Sequence, residues 1–269
     1  MDIMNKLPDH QFQDADDFLA FTSIYEDENR TKAYLKMLNR NRKVIQGGCC
    51  VEAGCGLGIF AGHMAAMGAK KVYAVEQNRL MYQMAKERLS TCSNVEVVHS
   101  RIEDFCPPEH IDVLVHEFFG QLLFDEDLNS LDNIKFKPGI ILPDSGRLCC
   151  GVLDATPYTD EFVTPTTIKK LNGVLVSGLF ESQNNELQFP VVDWHAEKPF
   201  NFETEINIAT HEGDLLAFGL QVYNKGTLLC EAEKCDNWSL VWTPRSGNQF
   251  AISFEPGLYG SEVLFRWLD

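Results

Sequence analysis

Residues 49–60 read Cys49-Cys50-Val51-Glu52-Ala53-Gly54-Cys55-Gly56-Leu57-Gly58-Ile59-Phe60, and this stretch decides the fold. Cys49 to Ala53 is a short, mainly apolar run with the length of a buried strand. The alternating glycines that follow let the backbone turn sharply and come close to a ligand. A helix over about Gly58 to Met67 is expected next. A glycine turn between a strand and a helix lies at the carboxyl end of that strand, where open parallel sheets bind their ligands.

The same alternation continues on either side. Lys71 to Val75 reads as a second strand, Leu80 to Leu89 as a second helix, and Val95 to Val98 and Ile111 to His116 as short apolar strands. Strands alternating with helices predict an α/β fold with a parallel, doubly wound, Rossmann-like sheet. Upstream, residues 1–47 are polar and helix-leaning, with apolar positions at helical spacing in Thr31 to Leu38 and Gly47-Gly48 as a stop. The character changes after Pro138-Gly139 and Pro143-Asp144. Phe202 to Ala209 and Leu215 to Tyr223 alternate apolar with polar residues, and Asn224-Lys225-Gly226 is a turn signal. These runs predict an antiparallel β unit, either a sandwich or a barrel. The expected domains are thus a helical cap segment (1–47), a Rossmann-like domain (48–143) and a β domain (144–269).

Composition bounds the function. The 269 residues are 45% hydrophobic, enough for a sizeable core. No apolar run approaches the roughly 20 residues of a membrane helix, and MDIMNKLPDH lacks the pattern of a secretory signal. The nine cysteines match no zinc spacing, so no metal is expected. Cys49, Cys50, Cys149 and Cys150 sit in apolar runs as small hydrophobes, and a reducing, cytoplasmic setting is expected. Thirty-nine acidic residues against 23 basic ones give a net charge of −16. That surface repels phosphate backbones, which excludes direct nucleic-acid binding as an expectation, and it attracts cations.

The glycine spacing narrows the ligand. It is Gly-x-Gly-x-Gly, from Gly54, Gly56 and Gly58, and not the Gly-x-Gly-x-x-Gly of dinucleotide sites, because residue 59 is Ile. Glu52, two residues before the first glycine, is placed to face the ammonium group of a methionine moiety. Glu76 ends the second strand, where a carboxylate accepts hydrogen bonds from ribose hydroxyls. Together they point to S-adenosylmethionine, with S-adenosylhomocysteine as the product.

From about Arg30 to Leu142 the sequence resembles the protein arginine methyltransferase family. Val51 to Glu76, Ile102-Glu103-Asp104 and above all His116-Glu117-Phe118-Phe119-Gly120-Gln121-Leu122-Leu123-Phe124-Asp125-Glu126 carry the resemblance. The last is similar to the family's double-glutamate hairpin. The resemblance implies that Glu117 and Glu126 clamp a guanidinium, which is planar, always charged and matched by carboxylates. A flanking Asp125 and Asp127 leave a solvated acidic turn as the other reading of Glu126. The resemblance further implies that Arg30 contacts the cofactor carboxylate and that Asp27 supports a catalytic histidine. It also sets Glu103, with Ile102 beside it, near the adenine amine.

Three features depart from the family. Asp236-Asn237-Trp238 stands where the family has a threonine–histidine–tryptophan loop, so Asn237 replaces a histidine. Phe18 and Phe21 occupy the region of a tyrosine-rich motif. The stretch after Leu148 is short for a full dimerisation arm, although a homodimer stays compatible with it. His116 is expected to face away from Glu117, as a structural histidine. The expected function is methyl transfer to a guanidino nitrogen of a basic protein, peptide or small guanidine. The alternatives are a catalytically impaired regulatory partner and a methyltransferase for another nucleophile.

Overall fold

A computed structural model describes residues 9–178, 187, 189–196, 198, 203–257 and 260–269. The chain divides into two compact units. One runs to Glu117 and takes in Asn133–Leu142, and the other comprises Phe118–Asp132 and Pro143–Asp269.

The first unit is built on five parallel strands: β1 (Cys49–Ala53), β2 (Lys71–Glu76), β3 (Val95–His99), β4 (Val113–His116) and β5 (Ile140–Leu142). Their order is β3-β2-β1-β4-β5, with Cys50 opposite Val113 and Ala53 opposite His116. Every residue of β1 is buried, as a central strand covered on both faces requires. The chain steps outward from β1 to β2 and β3, then returns to β4 on the other side of β1. That reversal makes the carboxyl ends of β1 and β4 the switch point where open sheets hold ligands.

Helices precede and interleave the strands: α1 (Asp9–Glu26), α2 (Glu28–Arg40), α3 (Arg42–Ile45), α4 (Ile59–Ala66) and α5 (Arg79–Arg88). The helix expected over Thr31 to Leu38 is therefore longer at its start. Asp27 explains the start, because its carboxylate accepts the Arg30 backbone N–H at 2.9 Å and caps the first turn of α2. Tyr34, Met37 and Leu38 face inward at helical spacing, and Tyr34 stacks on Phe60 of α4 at 5.1 Å.

The second unit is antiparallel, as expected. It contains β6 (Ser145–Leu153), β7 (Val176–Ser177), β8 (Phe189–His195), β9 (Glu203–Asn207), β10 (Leu215–Asn224), β11 (Thr227–Glu231), β12 (Val241–Pro244), β13 (Gln249–Pro256) and β14 (Ser261–Trp267). One sheet runs β7-β12-β10-β6-β8, with β11 paired to β10, and the other runs β14-β13-β9. Phe218 of β10 meets Phe250 and Phe265 of the second sheet at 5.6 and 6.0 Å, edge to face. Lys225 and Gly226, at φ 50° and 71°, make the β10–β11 turn that Asn224-Lys225-Gly226 signalled. Phe202 and residues 1–8 of the expected cap segment lie outside the described residues. Among the described residues no helix is long and apolar enough to cross a membrane. Cys49, Cys50, Cys149 and Cys150 are buried free thiols in β1 and β6.

Candidate functional site

The glycine loop leaves β1 with Gly54, Gly56 and Gly58 at φ 63°, 50° and 70°, a left-handed backbone that residues with a Cβ adopt at a cost. Gly58 also lacks room: a Cβ there would lie 2.5 Å from Leu89 Cδ1. The loop is anchored by Cys55 N–H to Val75 O at 2.9 Å and by Arg88, whose Nη1 donates to Leu57 O and Gly58 O at 3.0 Å each.

Two carboxylates close on this loop from the strand ends. Glu52 accepts the Ala61 N–H at 2.6 Å and the Phe60 N–H at 3.4 Å, so it caps the exposed donors of α4. Burial pushes its acid up to about 8 despite those bonds. Glu76 accepts Gly56 N–H at 2.8 Å and Asn78 N–H at 2.7 Å, and burial raises it as well. Glu52 therefore faces backbone amides within the protein, and Glu76 spans the end of β2 and the loop. Past β3, Ile102 is buried in a turn of 3-10 helix, while Glu103 pairs with Arg101 at 2.6 Å.

A second cluster forms at the end of β4. Glu117 Oε1 lies 3.2 Å from Arg30 Nη1. The other arm of Arg30 donates to Ile24 O at 3.1 Å, and Arg30 is only 3% exposed. Asp27, fully buried, is held to the Arg30 backbone. Burial dominates the Glu117 acid and lifts it to about 7; the Arg30 charge pulls it down, and Asp27 pushes it up again. Asp27, Arg30 and Glu117 are thus one charged group, while Glu52, Glu76 and the three glycines form another. His116 is buried beside Glu117 in β4.

Tyr25 is a site residue that the sequence reading did not single out. Its hydroxyl accepts the Leu57 N–H at 2.5 Å and donates to Cys55 O at 3.4 Å. A tyrosine near a helix end carries no spacing signal, so only the packed chain reveals it. Arg88 was missed for the same reason.

Glu126 belongs to the second unit, in the segment Phe118–Asp132. Phe119 and Phe124 are buried there, against Trp194 at 5.6 Å and Phe254 at 5.1 Å. Gly120 and Leu123 bridge a tight turn, with Leu123 at φ 75°. Asp125 folds back on that turn and accepts the Leu122 N–H at 2.8 Å, where a Cβ on Gly120 would collide with it. Asp127 accepts the Gly260 N–H at 3.2 Å. Glu126, between these two, is exposed. Gln121 joins the turn to its surroundings, accepting from Ser177 Oγ at 2.5 Å and donating to Asn237 O at 3.4 Å. Asn237 itself is half-buried next to buried Trp238.

Comparison with known proteins places this geometry. Residues 50–134 match a family described as a methyltransferase domain. The chain is 35% identical over 133 residues to a probable protein arginine N-methyltransferase 6 of Arabidopsis thaliana, covering 46% of this chain and 30% of that protein. It is 26% identical over 163 residues to protein arginine N-methyltransferase 1 of Dictyostelium discoideum, covering 57% of this chain and 47% of that protein. The matched stretches thus span less than half the length of these relatives. In fold it is similar to the Trypanosoma brucei PRMT1 enzyme–prozyme heterotetrameric complex with AdoHcy (TM-score 0.70, 16% identity, 93% of this chain and 94% of that one). It is also similar to Arabidopsis thaliana protein arginine methyltransferase 10 (TM-score 0.66, 15% identity, 91% of this chain and 95% of that one). The chain thus resembles the protein arginine methyltransferases, in sequence over part of its length and in its fold of a parallel sheet followed by antiparallel sheets.

Proposed function

We propose that the chain is an S-adenosylmethionine-dependent N-methyltransferase that acts on a guanidino nitrogen. The observation that carries this reading is Glu117, a mostly buried carboxylate at the end of β4 with the Arg30 guanidinium 3.2 Å away. That place already accommodates one guanidinium–carboxylate pair.

The residues fit the cofactor. Gly56 and Gly58 hold a backbone where side chains would collide with their neighbours, and two carboxylates stand at the carboxyl ends of β1 and β2. Gly54, Gly56 and Gly58 would line it, with Glu52 toward its amino group, Glu76 toward its ribose, Arg30 toward its carboxylate, and Ile102 and Glu103 toward its adenine. When bound, S-adenosylmethionine supplies a methyl group on a sulfonium.

Glu117 and Glu126 are assigned to the acceptor. Two carboxylates orient a planar guanidinium and draw its charge toward the nitrogens they contact. The remaining nitrogen then carries the more available electron pair, and most of the gain is orientation and charge placement. Asp27 tunes Glu117 through its charge. A net charge of −16 favours a cationic acceptor, either a basic protein or peptide or a small guanidine. A homodimer and a cytoplasmic location belong to the same proposal, as do a β substrate domain from residue 144 and a shortened dimerisation arm.

Asn237 favours a second reading. Where the family has a histidine, an amide cannot take up a proton, so a regulatory partner of an active subunit is the alternative. One assay separates the two: labelled S-adenosylmethionine offered to arginine-rich peptides, free arginine and lysine-only controls. Label on arginine that vanishes in Glu117→Gln supports the first. Binding without transfer, except in the presence of a partner, supports the second. Transfer indifferent to both Glu117→Gln and Glu126→Gln would sink the guanidinium clamp.

A further inference from the structure

We propose that Arg88 is a positioning residue for the cofactor: from the last turn of α5 it grips the carbonyls of the glycine loop and holds the loop in the shape that binds. The inference rests on the cofactor reading above and deepens it. A glycine-rich loop is the part of this fold with the most backbone freedom to lose. Gly58 is both the last glycine of the loop and the residue before α4, and it has no side chain with which to cap that helix. The order of the loop therefore has to come from neighbouring elements.

Glu52 and Arg88 supply it, one through the amides and the other through the carbonyls. Glu52 accepts from the N–H groups of Phe60 and Ala61. Arg88 Nη1 donates to Leu57 O and to Gly58 O at 3.0 Å each. Gly58 O also accepts a helical bond of α4, from Gly62 N–H at 3.0 Å, so both of its lone pairs are engaged. Leu89, the next residue of the chain, fills the hollow that Gly58 leaves. A Cβ on Gly58 would lie 2.5 Å from Leu89 Cδ1, and one on Gly62 would lie 3.2 Å from Leu89 Cδ2. Buried Leu89 thus packs against the loop and the start of α4, and exposed Arg88 fastens them.

Charge fits the same division. Arg88 ends α5, where a cation complements the helix dipole, but its head lies at the amino end of α4, where a cation is opposed. Glu52 offsets that opposition, and the Arg88 charge in turn pulls the Glu52 acid down against the larger effect of burial. Because Arg88 is exposed, its removal opens no hole in the core, and water takes over the two carbonyls. What is lost is the fixed geometry of Leu57 and Gly58. A ligand then has to order the loop as it binds. The expected phenotype is weakened cofactor binding in a stably folded chain.

The test uses the full chain and S-adenosylhomocysteine. Arg88→Met keeps a long apolar stem and removes the grip, whereas Arg88→Lys keeps the charge and a donor for the same carbonyls. Lys86→Met is the control: Lys86 lies in the same last turn of α5 but bonds the Tyr82 hydroxyl, at 3.2 Å. Urea unfolding establishes that each variant folds. Calorimetry should show Arg88→Met binding roughly 2- to 12-fold more weakly, the range of one hydrogen bond. Arg88→Lys should bind more tightly than Arg88→Met, and Lys86→Met should bind like the wild type. Without ligand, hydrogen exchange in residues 57–61 should be faster in Arg88→Met than in the wild type, and saturating ligand should remove the difference. Unchanged binding by Arg88→Met, or equal weakening in Arg88→Met and Lys86→Met, overturns the positioning role. So does failure of Arg88→Met to fold, or exchange that rises throughout the first unit rather than in the loop. If no protein binds the ligand, the cofactor reading fails. Exchange alone then decides: faster in the loop of Arg88→Met supports the grip, and equal exchange overturns it.

Discussion

Arg30 and Glu117 face each other across 3.2 Å, and Glu117 is nonetheless an acid lifted to about 7. Burial outweighs the attraction of the neighbouring guanidinium, and buried Asp27 adds repulsion on the same side. Near neutral pH this carboxyl therefore exchanges its proton readily. Its position at the end of β4 makes that exchange relevant to whatever cation binds there.

The first prediction concerns pH and rate. A carboxyl must be ionised to hold a guanidinium, so kcat/KM for methyl transfer to an arginine peptide should rise with pH through about 7 and then level. Glu117→Gln should lack that limb and lower kcat/KM on the order of 100-fold or more. A flat profile in the wild type between pH 6 and 8 would remove Glu117 from the acceptor clamp.

Asp27 allows its structural and electrostatic parts to be separated. Asp27→Ala loses the cap of α2 and should cost about 1 kcal/mol in thermal or urea unfolding, whereas Asp27→Asn keeps a capping oxygen and should cost only a few tenths. Both variants remove a negative charge near Glu117, so both should move its titration below about 7. A carboxyl-specific NMR or infrared titration reads that shift directly. No movement in either variant would contradict the assigned coupling.

Stability should fall as pH rises across the same range. Glu52 and Glu117 have folded acids near 8 and 7, above the ordinary carboxyl value of 4.5. The folded state therefore binds more protons than the unfolded chain between those limits. The stabilisation is fully present below pH 4.5 and is lost as pH climbs through about 7 and 8. Melting temperatures at pH 6 and 8.5 should decrease in that order, and Glu52→Gln should flatten the slope. A wild-type slope of the opposite sign would contradict the burial argument.

The acidic turn offers a mechanical test. Asp125 is bonded to the Leu122 N–H and fills the space beside Gly120. Asp125→Ala leaves that donor without its acceptor and should cost about 1–3 kcal/mol. Glu126→Gln, at an exposed position, should change stability by less than about 0.5 kcal/mol while reducing transfer. Equal losses of stability in the two variants would contradict the assignment of Asp125 to structure and Glu126 to function.

Much of this was legible in the chain. β1 runs over Cys49–Ala53 as read, and β10 over Leu215–Asn224 extends the reading by one residue. Both are local patterns, in which periodicity and glycine punctuation act within a few residues. Other features depended on distant neighbours. The segment Phe118–Asp132 reads as a continuation of the sheet domain, yet Phe119 and Phe124 pack with Trp194 and Phe254, over 75 and 130 residues of separation, and it belongs to the second unit. No local pattern encodes which core a phenylalanine joins.

The site divides in the same way. The sequence by itself determined which chemical groups are present: the Gly54-x-Gly56-x-Gly58 spacing, a carboxylate at each strand end, and the Glu117–Glu126 separation. Those are properties of order and spacing along the backbone. Tertiary structure alone decided what each group touches. It turned Glu52 onto the amides of α4, set Arg30 against Glu117, and laid Tyr25 on Gly56. Hydrogen bonds and burial depend on distances through space, so the raised acid of Glu117 and the contact of Tyr25 with the loop arise only once the helices before the sheet have packed against it.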